Sequence, residues 1–213
     1  MSRKLSTLLV LALLITLFSG ITAGAEETTL VVGVPTLLNS LDFEEPTLAG
    51  GQIISLMRDK GLRWVEQPYP YDETLAAQNV YYPDFSSTEG RLIESCEVDA
   101  DAKHAVFHLR KGVTSQWGNE LTSEDVRYTL ERAKALNGFQ LFLWGTAGMT
   151  GPENISIVDD YTYEVTLDEP NGLIALINCH SWTGFIDSTA CKAHATESDP
   201  YATEWVSRNN CGF

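Results

Sequence analysis

Phe107 to Ala133, FHLRKGVTSQWGNELTSEDVRYTLERA, is the stretch whose reading decides the fold. Phe107 and Leu109 alternate with His108 and Arg110, the period-two pattern of a strand with one buried face. Gly112 releases the chain into a turn. Thr122 offers a side-chain oxygen where free amides open a helix, and Glu124 and Asp125 put negative charge in its first turn, where the helix dipole favours it. Val126, Leu130, Ala133 and Leu136 then fall on one stripe, while Arg127, Glu131 and Lys134 face outward. Asn137 and Gly138 end the helix. The stretch predicts a strand, a turn and a helix of an α/β fold.

Outward from it, Arg91 to Val98 reads as a strand joined to the one at 104–110 by a turn over Asp99 to Lys103, at hairpin spacing. Asn154 to Val158 and Tyr161 to Leu167 form a second hairpin across Asp159-Asp160, with Tyr161, Tyr163, Val165 and Leu167 on one face. Gln140 to Gly151 is apolar and contains glycine, and its pattern leaves its state open. Thr29 to Val34, TLVVGV, is a run of β-branched residues closed by Pro35 and reads as a buried strand. Gln52 to Leu62 has helical spacing, and Leu173 to Ile177 reads as a further short helix. Arg63 to Gly90 has no period and reads as a long loop or insertion. Its aromatics, Trp64, Tyr69, Tyr71, Tyr81, Tyr82 and Phe85, suit either an exposed sticky surface or packing against the neighbouring sheet, the second being the blander account.

Arg3 and Lys4 precede an apolar run from Leu8 to Phe18, and Ala23-Gly24-Ala25 supplies the small residues of a cleavage site, so residues 1–25 read as a signal peptide. The uninterrupted run is shorter than the roughly 20 residues that span a bilayer, which disfavours an uncleaved anchor. Removing 25 of the 213 residues leaves 188 and takes the formal charge from -15 to -17, because Arg3 and Lys4 go with them. So acidic a chain is repelled by nucleic acid and by anionic lipid surfaces. Four cysteines, Cys96, Cys179, Cys191 and Cys211, allow three pairings in an exported chain; Cys179 with Cys191, the closest in sequence, is the candidate disulfide.

No nucleophile elbow, zinc helix, phosphate loop or dinucleotide fingerprint occurs, so the sequence offers no enzyme motif and calls for no cofactor. The acidic pairs Glu44/Glu45, Glu124/Asp125 and Asp159/Asp160 read as solvated faces or turns. His104 and His108 share a strand face but sit about 13 Å apart, too far to share one ion. Cys179, His180, Cys191 and His194 have the residue types of a zinc site, against which a disulfide and two unrelated histidines is the simpler reading.

The order of these pieces resembles the extracytoplasmic solute-binding proteins, family 5, of peptide and nickel ABC importers. The residues that carry the resemblance are FHLRKGV, LTSEDV and its helix, Ser40-Leu41-Asp42 after the first strand, Lys60-Gly61-Leu62, Leu92, Glu94 and Ser95 before the turn, and a strand ending in Asp168-Glu169-Pro170. Phe43 stands where the family has Pro, Cys96 where it has Trp, and Trp117 in a turn that usually reads His-Asp-Gly. The resemblance implies an α/β fold of the two-lobed, type II periplasmic-binding kind that closes on a ligand by hinge motion. It implies binding without catalysis, by a monomer outside the membrane that delivers peptides, nickel chelates or related small solutes to ABC permease subunits. It divides the chain into the signal peptide 1–25, a first segment of the ligand lobe at 26–62, a small α+β subdomain at 63–168 and a return to the ligand lobe at 169–213. By the same resemblance Thr47, Leu48 and Ala49 line the cleft, Thr47 bonding a ligand backbone, and Trp182 stacks on the ligand unless it is a core residue. Family members are more than twice this length, so the resemblance also implies a truncated frame or fragment. The alternative is a secreted surface or interaction protein built on this fold without transport activity.

Overall fold

The computed structural model describes residues 40–45, 55 and 57–213. The expected signal peptide, the TLVVGV strand and the expected ligand residues Thr47, Leu48 and Ala49 lie outside the described residues.

The first regular elements are β1 (Leu62–Pro68), a short helix α1 (Glu73–Ala77) and β2 (Tyr81–Gly90). β1 and β2 form an antiparallel ribbon whose register shifts between Trp64 and Val65. This corrects the loop expected at 63–90. Apart from Leu62, neither strand buries a residue fully, so no core imposed an apolar alternation. Its aromatics pack mainly on one another, as in Trp64 against Phe85 at 5.4 Å and Tyr69 against Tyr82 at 6.0 Å. Tyr71 and Phe85 stay 75% and 60% exposed, whereas Trp64 is half-buried and packs against the main core. The helix expected to run to Leu62 is also shorter: Ser55 and Met57 are helical, but Asp59 and Lys60 are not, and Leu62 opens β1.

The main sheet follows the expected hairpins. β3 (Ile93–Val98), β4 (His104–Leu109), β5 (Ile155–Asp159) and β6 (Thr162–Thr166) lie antiparallel in the order β3-β4-β6-β5. Phe107 and Tyr163 face each other across β4 and β6, with rings stacked at 5.0 Å. Ile93, Ala105, Leu109, Val165 and Leu167 join them in one core.

Helix α2 (Ser123–Leu136) begins and ends as the residues require. The Thr122 amide donates to Asp125 Oδ2 at 2.8 Å, and Asn137 adopts a left-handed turn with φ 47°. Val126 and Leu130 enter the sheet core, whereas Tyr128 enters a second, smaller core with Ile186, Ala190, Cys191, Ala202, Val206 and Cys211. α2 is thus a wall with a core on either side. The apolar stretch after it forms α3 (Phe139–Thr146). The helix expected at 173–177 is instead a turn followed by a short 3-10 helix, Leu176–Cys179. Asn171 Oδ1 takes the Leu173 amide and the Thr183 hydroxyl donates to the Ile177 carbonyl, so side chains satisfy groups an α-helix would have used. Two short helices, α4 (Ser188–His194) and α5 (Thr203–Val206), complete the chain. The main core draws on both sides of residue 168, from Leu167 to Ile174, Phe185 and Phe213.

Phe107→Ala removes a fully buried ring and is expected to cost about 3–5 kcal/mol in urea unfolding, whereas Arg127→Ala, on the exposed face of α2, changes stability by about 0.5 kcal/mol or less. Equal midpoints for the two variants would refute the core placement.

Candidate ligand-binding site

The loop Ser40–Glu45 immediately precedes the expected ligand residues, and the structure shows what holds it. The Asp42 amide donates to Ser40 Oγ at 3.0 Å, and Asp42 Oδ1 accepts the Glu44 amide at 3.1 Å, so the loop folds on its short side chains. The Leu41 amide donates to the Ser207 carbonyl at 2.8 Å, tying the loop to the distant end of the chain.

Beneath the loop lies a buried charge cluster. Arg132, on α2, reaches Asp42 in a two-pronged contact, with Nη1 to Oδ1 at 2.8 Å, and its Nε donates to the Tyr201 carbonyl at 3.1 Å. Arg132 is 0% and Asp42 1% exposed, so neither charge is shared with water. Burial alone would depress Arg132; the hydrogen bonds and charge of Asp42 outweigh it and raise it above the ordinary guanidinium range. A second arginine, Arg58, donates from Nη2 to the Leu41 carbonyl at 2.9 Å and from Nε to Asn210 Oδ1 at 2.7 Å, with its guanidinium 4.1 Å above the Phe43 ring. Burial lowers its pKa to about 10.

Gln140 links this loop to the other expected ligand residue. Its amide donates to Glu44 Oε2 at 3.0 Å, and its side-chain Nε2 donates to the carbonyls of Trp182 and Gly184, both at 3.2 Å. A Cβ on Gly184 would sit 3.2 Å from the Phe43 ring, so glycine there lets the two loops touch. Trp182 itself is half-buried, packing on Phe139 at 5.1 Å and against the main core. Beside it, His180 borders a cleft of about 280 Å³ with Trp64, Leu173, Leu176 and Ile177, and burial holds its imidazole below the ordinary range.

Sequence reasoning missed Arg58, Arg132, Glu44 and Gln140. For Arg132 a signal existed: Asp125, Thr129 and Arg132, at spacings of four and three, form a polar stripe on α2 that is as buried as the apolar one. Thr129 Oγ1 accepts the Ile186 amide at 3.0 Å and Asp125 Oδ1 the Ser188 amide at 2.8 Å, so the stripe holds the returning chain. The structure puts the two cysteines of the expected pair in different cores. Cys179 sits in the sheet core, whereas Cys191 sits in the second core with its sulfur 2.9 Å from that of Cys211. The four cysteine and histidine residues considered for zinc are divided in the same way. Among the described residues no group of three or more His, Cys, Asp or Glu side chains is placed to hold an ion. His104 lies between Asp99 and Glu164, each at 3.4 Å, while His108 faces Thr162.

Comparison with known proteins settles the family. The sequence profile of the bacterial extracellular solute-binding proteins, family 5 middle region, matches residues 87–207. The chain belongs to this family. Among solved structures, it is similar to the periplasmic binding protein DppA of Helicobacter pylori in complex with the peptide STSA, at 19% identity and a TM-score of 0.55 over 78% of this chain and 31% of that one. It is similar to Listeria monocytogenes OppA bound to peptide, at 18% identity and a TM-score of 0.56 over 76% of this chain and 31% of that one. It is also similar to MoaA of A. tumefaciens R10 in complex with mannopinic acid, at 23% identity and a TM-score of 0.54 over 76% and 30%. The fold is therefore of the two-lobed periplasmic-binding kind, and the chain spans about a third of the length of these neighbours. A search of curated proteins finds no match.

Two outcomes follow from the buried cluster. Asp42→Ala strands the Arg132 charge and is expected to cost about 3–5 kcal/mol, whereas the double change Asp42→Leu with Arg132→Met, which removes both charges, costs much less; urea titrations of the three proteins compare them. The second concerns Glu44, whose pKa is pushed from 4.5 up to about 7, chiefly by burial and further by Asp42, against the Gln140 amide, Arg132 and Arg58. An acid whose folded pKa is raised holds its proton longer in the native state. Stability is therefore highest below about pH 4.5, falls as pH rises to about 7 and is level beyond, a difference on the order of 3 kcal/mol from this group. Glu44→Gln, which keeps an acceptor for Gln140, should flatten that part of the stability curve. An unchanged slope between those pH values in denaturant unfolding would show that Glu44 is not the group responsible.

Proposed function

We propose that this chain is part of the substrate-binding component of an ABC importer, capturing peptides, with nickel or related small solutes as lesser candidates, outside the membrane and delivering them to permease subunits. The observation that carries the reading is the rigid seating of Ser40–Glu45, whose carboxylates, carbonyl and amides are bonded to Arg132, Arg58, Gln140 and Ser207 before the chain reaches Thr47, Leu48 and Ala49. A loop held this way is ordered before any ligand arrives, which limits the ordering cost of capture. The peptide-bound states of the DppA and OppA structures support peptide as the first ligand to test.

In this reading residues 1–25 direct export, 26–62 and 169–213 belong to the ligand lobe, and 63–168 form the small subdomain. Among the described residues no helix is long and apolar enough to cross a membrane. The protein acts as a monomer, and its work is binding rather than catalysis. Thr47 and neighbouring main-chain groups bond an extended peptide backbone, which gives affinity across many sequences, and Trp182 packs against a peptide side chain. Closure of the two lobes is favoured only by contacts the ligand gains in the closed state, and the permease reads that state.

The test is titration calorimetry of the gene's product against a set of di- to pentapeptides, with nickel and opines as separate arms. Peptide binding is expected, weakened about tenfold by Trp182→Ala, a stacking contribution of roughly 1.4 kcal/mol. Heat from nickel or opines alone would move the ligand class, and silence in every arm would defeat the importer reading.

A further inference from the structure

One buried pair of nucleophilic groups takes no part in the proposed binding function. Cys191, on α4, and Cys211 are both 0% exposed, and their sulfurs stand 2.9 Å apart, inside the van der Waals contact of two sulfurs. A single residue fixes both backbones. The Asp187 amide donates to the Cys211 carbonyl at 2.8 Å, and the Asp187 carbonyl accepts the Cys191 amide at 3.1 Å. Asp187 is itself pinned through its carboxylate by the Ser115 hydroxyl at 2.5 Å, by Asn119 and by the Ala190 amide at 2.8 Å. Its neighbour Ile186 bridges to Gly212. Positions so fixed hold the two sulfurs in reach of each other without any rearrangement of the chain, and among the described residues no third ligand stands by to make them a metal site.

We propose that Cys191 and Cys211 are joined by a disulfide in the exported protein, stapling α4 to the segment Asn210–Phe213. The pairing rests on the geometry alone; its presence in cells rests on the extracytoplasmic reading of the function. Each thiol loses a proton, the S–S bond forms, and the two electrons pass to a protein or small-molecule disulfide of the oxidising compartment, whose own S–S bond breaks to give two thiols. The hydrogen bond to Cys191 and burial push the Cys211 thiol up in the folded state, which keeps it protonated until an oxidant reaches it. The linkage has a consequence for the binding loop. Asn210 holds Arg58 through Oδ1 and the Met57 carbonyl through Nδ2, and its own carbonyl receives Trp117 Nε1 at 3.0 Å. A staple at residue 211 fixes these contacts and, through Arg58, the Leu41 carbonyl at the root of the loop.

The test is to refold the full chain in a mixture of reduced and oxidised glutathione, block remaining thiols with N-ethylmaleimide in denaturant, and digest without reductant for mass spectrometry. A peptide joining Cys191 to Cys211 is expected, lost in Cys191→Ser and in Cys211→Ser. The oxidised chain should melt about 5–10 °C above the same chain refolded with reductant, and Cys191→Ala with Cys211→Ala should melt alike in both. All four thiols blocked, or Cys191 joined to Cys179 or Cys96, would overturn the proposal. Neither result depends on ligand, so failure here leaves the importer reading standing, and a chain that is correctly linked yet binds nothing sinks only that reading.

Discussion

The ion pair between Asp42 and Arg132 is the contact on which the loop ahead of the expected ligand residues depends. Two charges removed from water carry a large desolvation cost, and only close, two-pronged geometry with further bonds offsets it. The structure supplies those bonds from two sides, the Glu44 amide donating to Asp42 and Arg132 donating to the Tyr201 carbonyl, while the neighbouring Arg58 ties down the same loop through the Leu41 carbonyl. Each partner comes from a different part of the chain, so the pair forms only when the loop, α2 and the returning segment are all in place. An apolar contact at the same position would hold these pieces together with less specificity about their register.

α2 has two masters. Its apolar stripe closes the four-stranded sheet, which is what its periodicity announces, and its polar stripe gathers Asp42, Ile186, Ser188 and Tyr201. Strand, turn and helix at 107–133 are therefore more than scaffold: the same helix that registers against Phe107 and Tyr163 sets the height of the loop ahead of the expected ligand residues. Gln140, in the first turn of α3, extends the arrangement to Trp182, so a displacement of α2 against the sheet would be felt at both places where a ligand is expected.

The legible part of the sequence was the part with one wet face and one dry one. β4, the hairpin of β5 and β6, and both ends of α2 follow residue by residue from alternation, from Thr122 and Asp125, and from Asn137. The ribbon of β1 and β2 was illegible because it has no dry face: Tyr71 and Phe85 are as exposed as the polar residues between them, and a bulge at Trp64 breaks what alternation there is. The buried cluster was illegible for the opposite reason. Arg58, Arg132 and Glu44 carry the composition of a surface, and only their partners, from 17 to 152 residues away in sequence, make them interior.

The cysteines show the same limit in its simplest form. Sequence separation favoured Cys179 with Cys191, because a short loop is the least costly to close. That reasoning holds for a chain with no other constraint. Here Cys179 is committed to the sheet core by the 3-10 helix Leu176–Cys179, whereas Asp187 turns α4 so that Cys191 faces the returning segment. Tertiary contacts had already closed the 20-residue loop between Cys191 and Cys211, so the entropy of bringing those two sulfurs together is met by Asp187 and the Ile186–Gly212 bridge rather than by the sulfurs themselves. Proximity along the chain is a measure of closure cost only where nothing else does the closing.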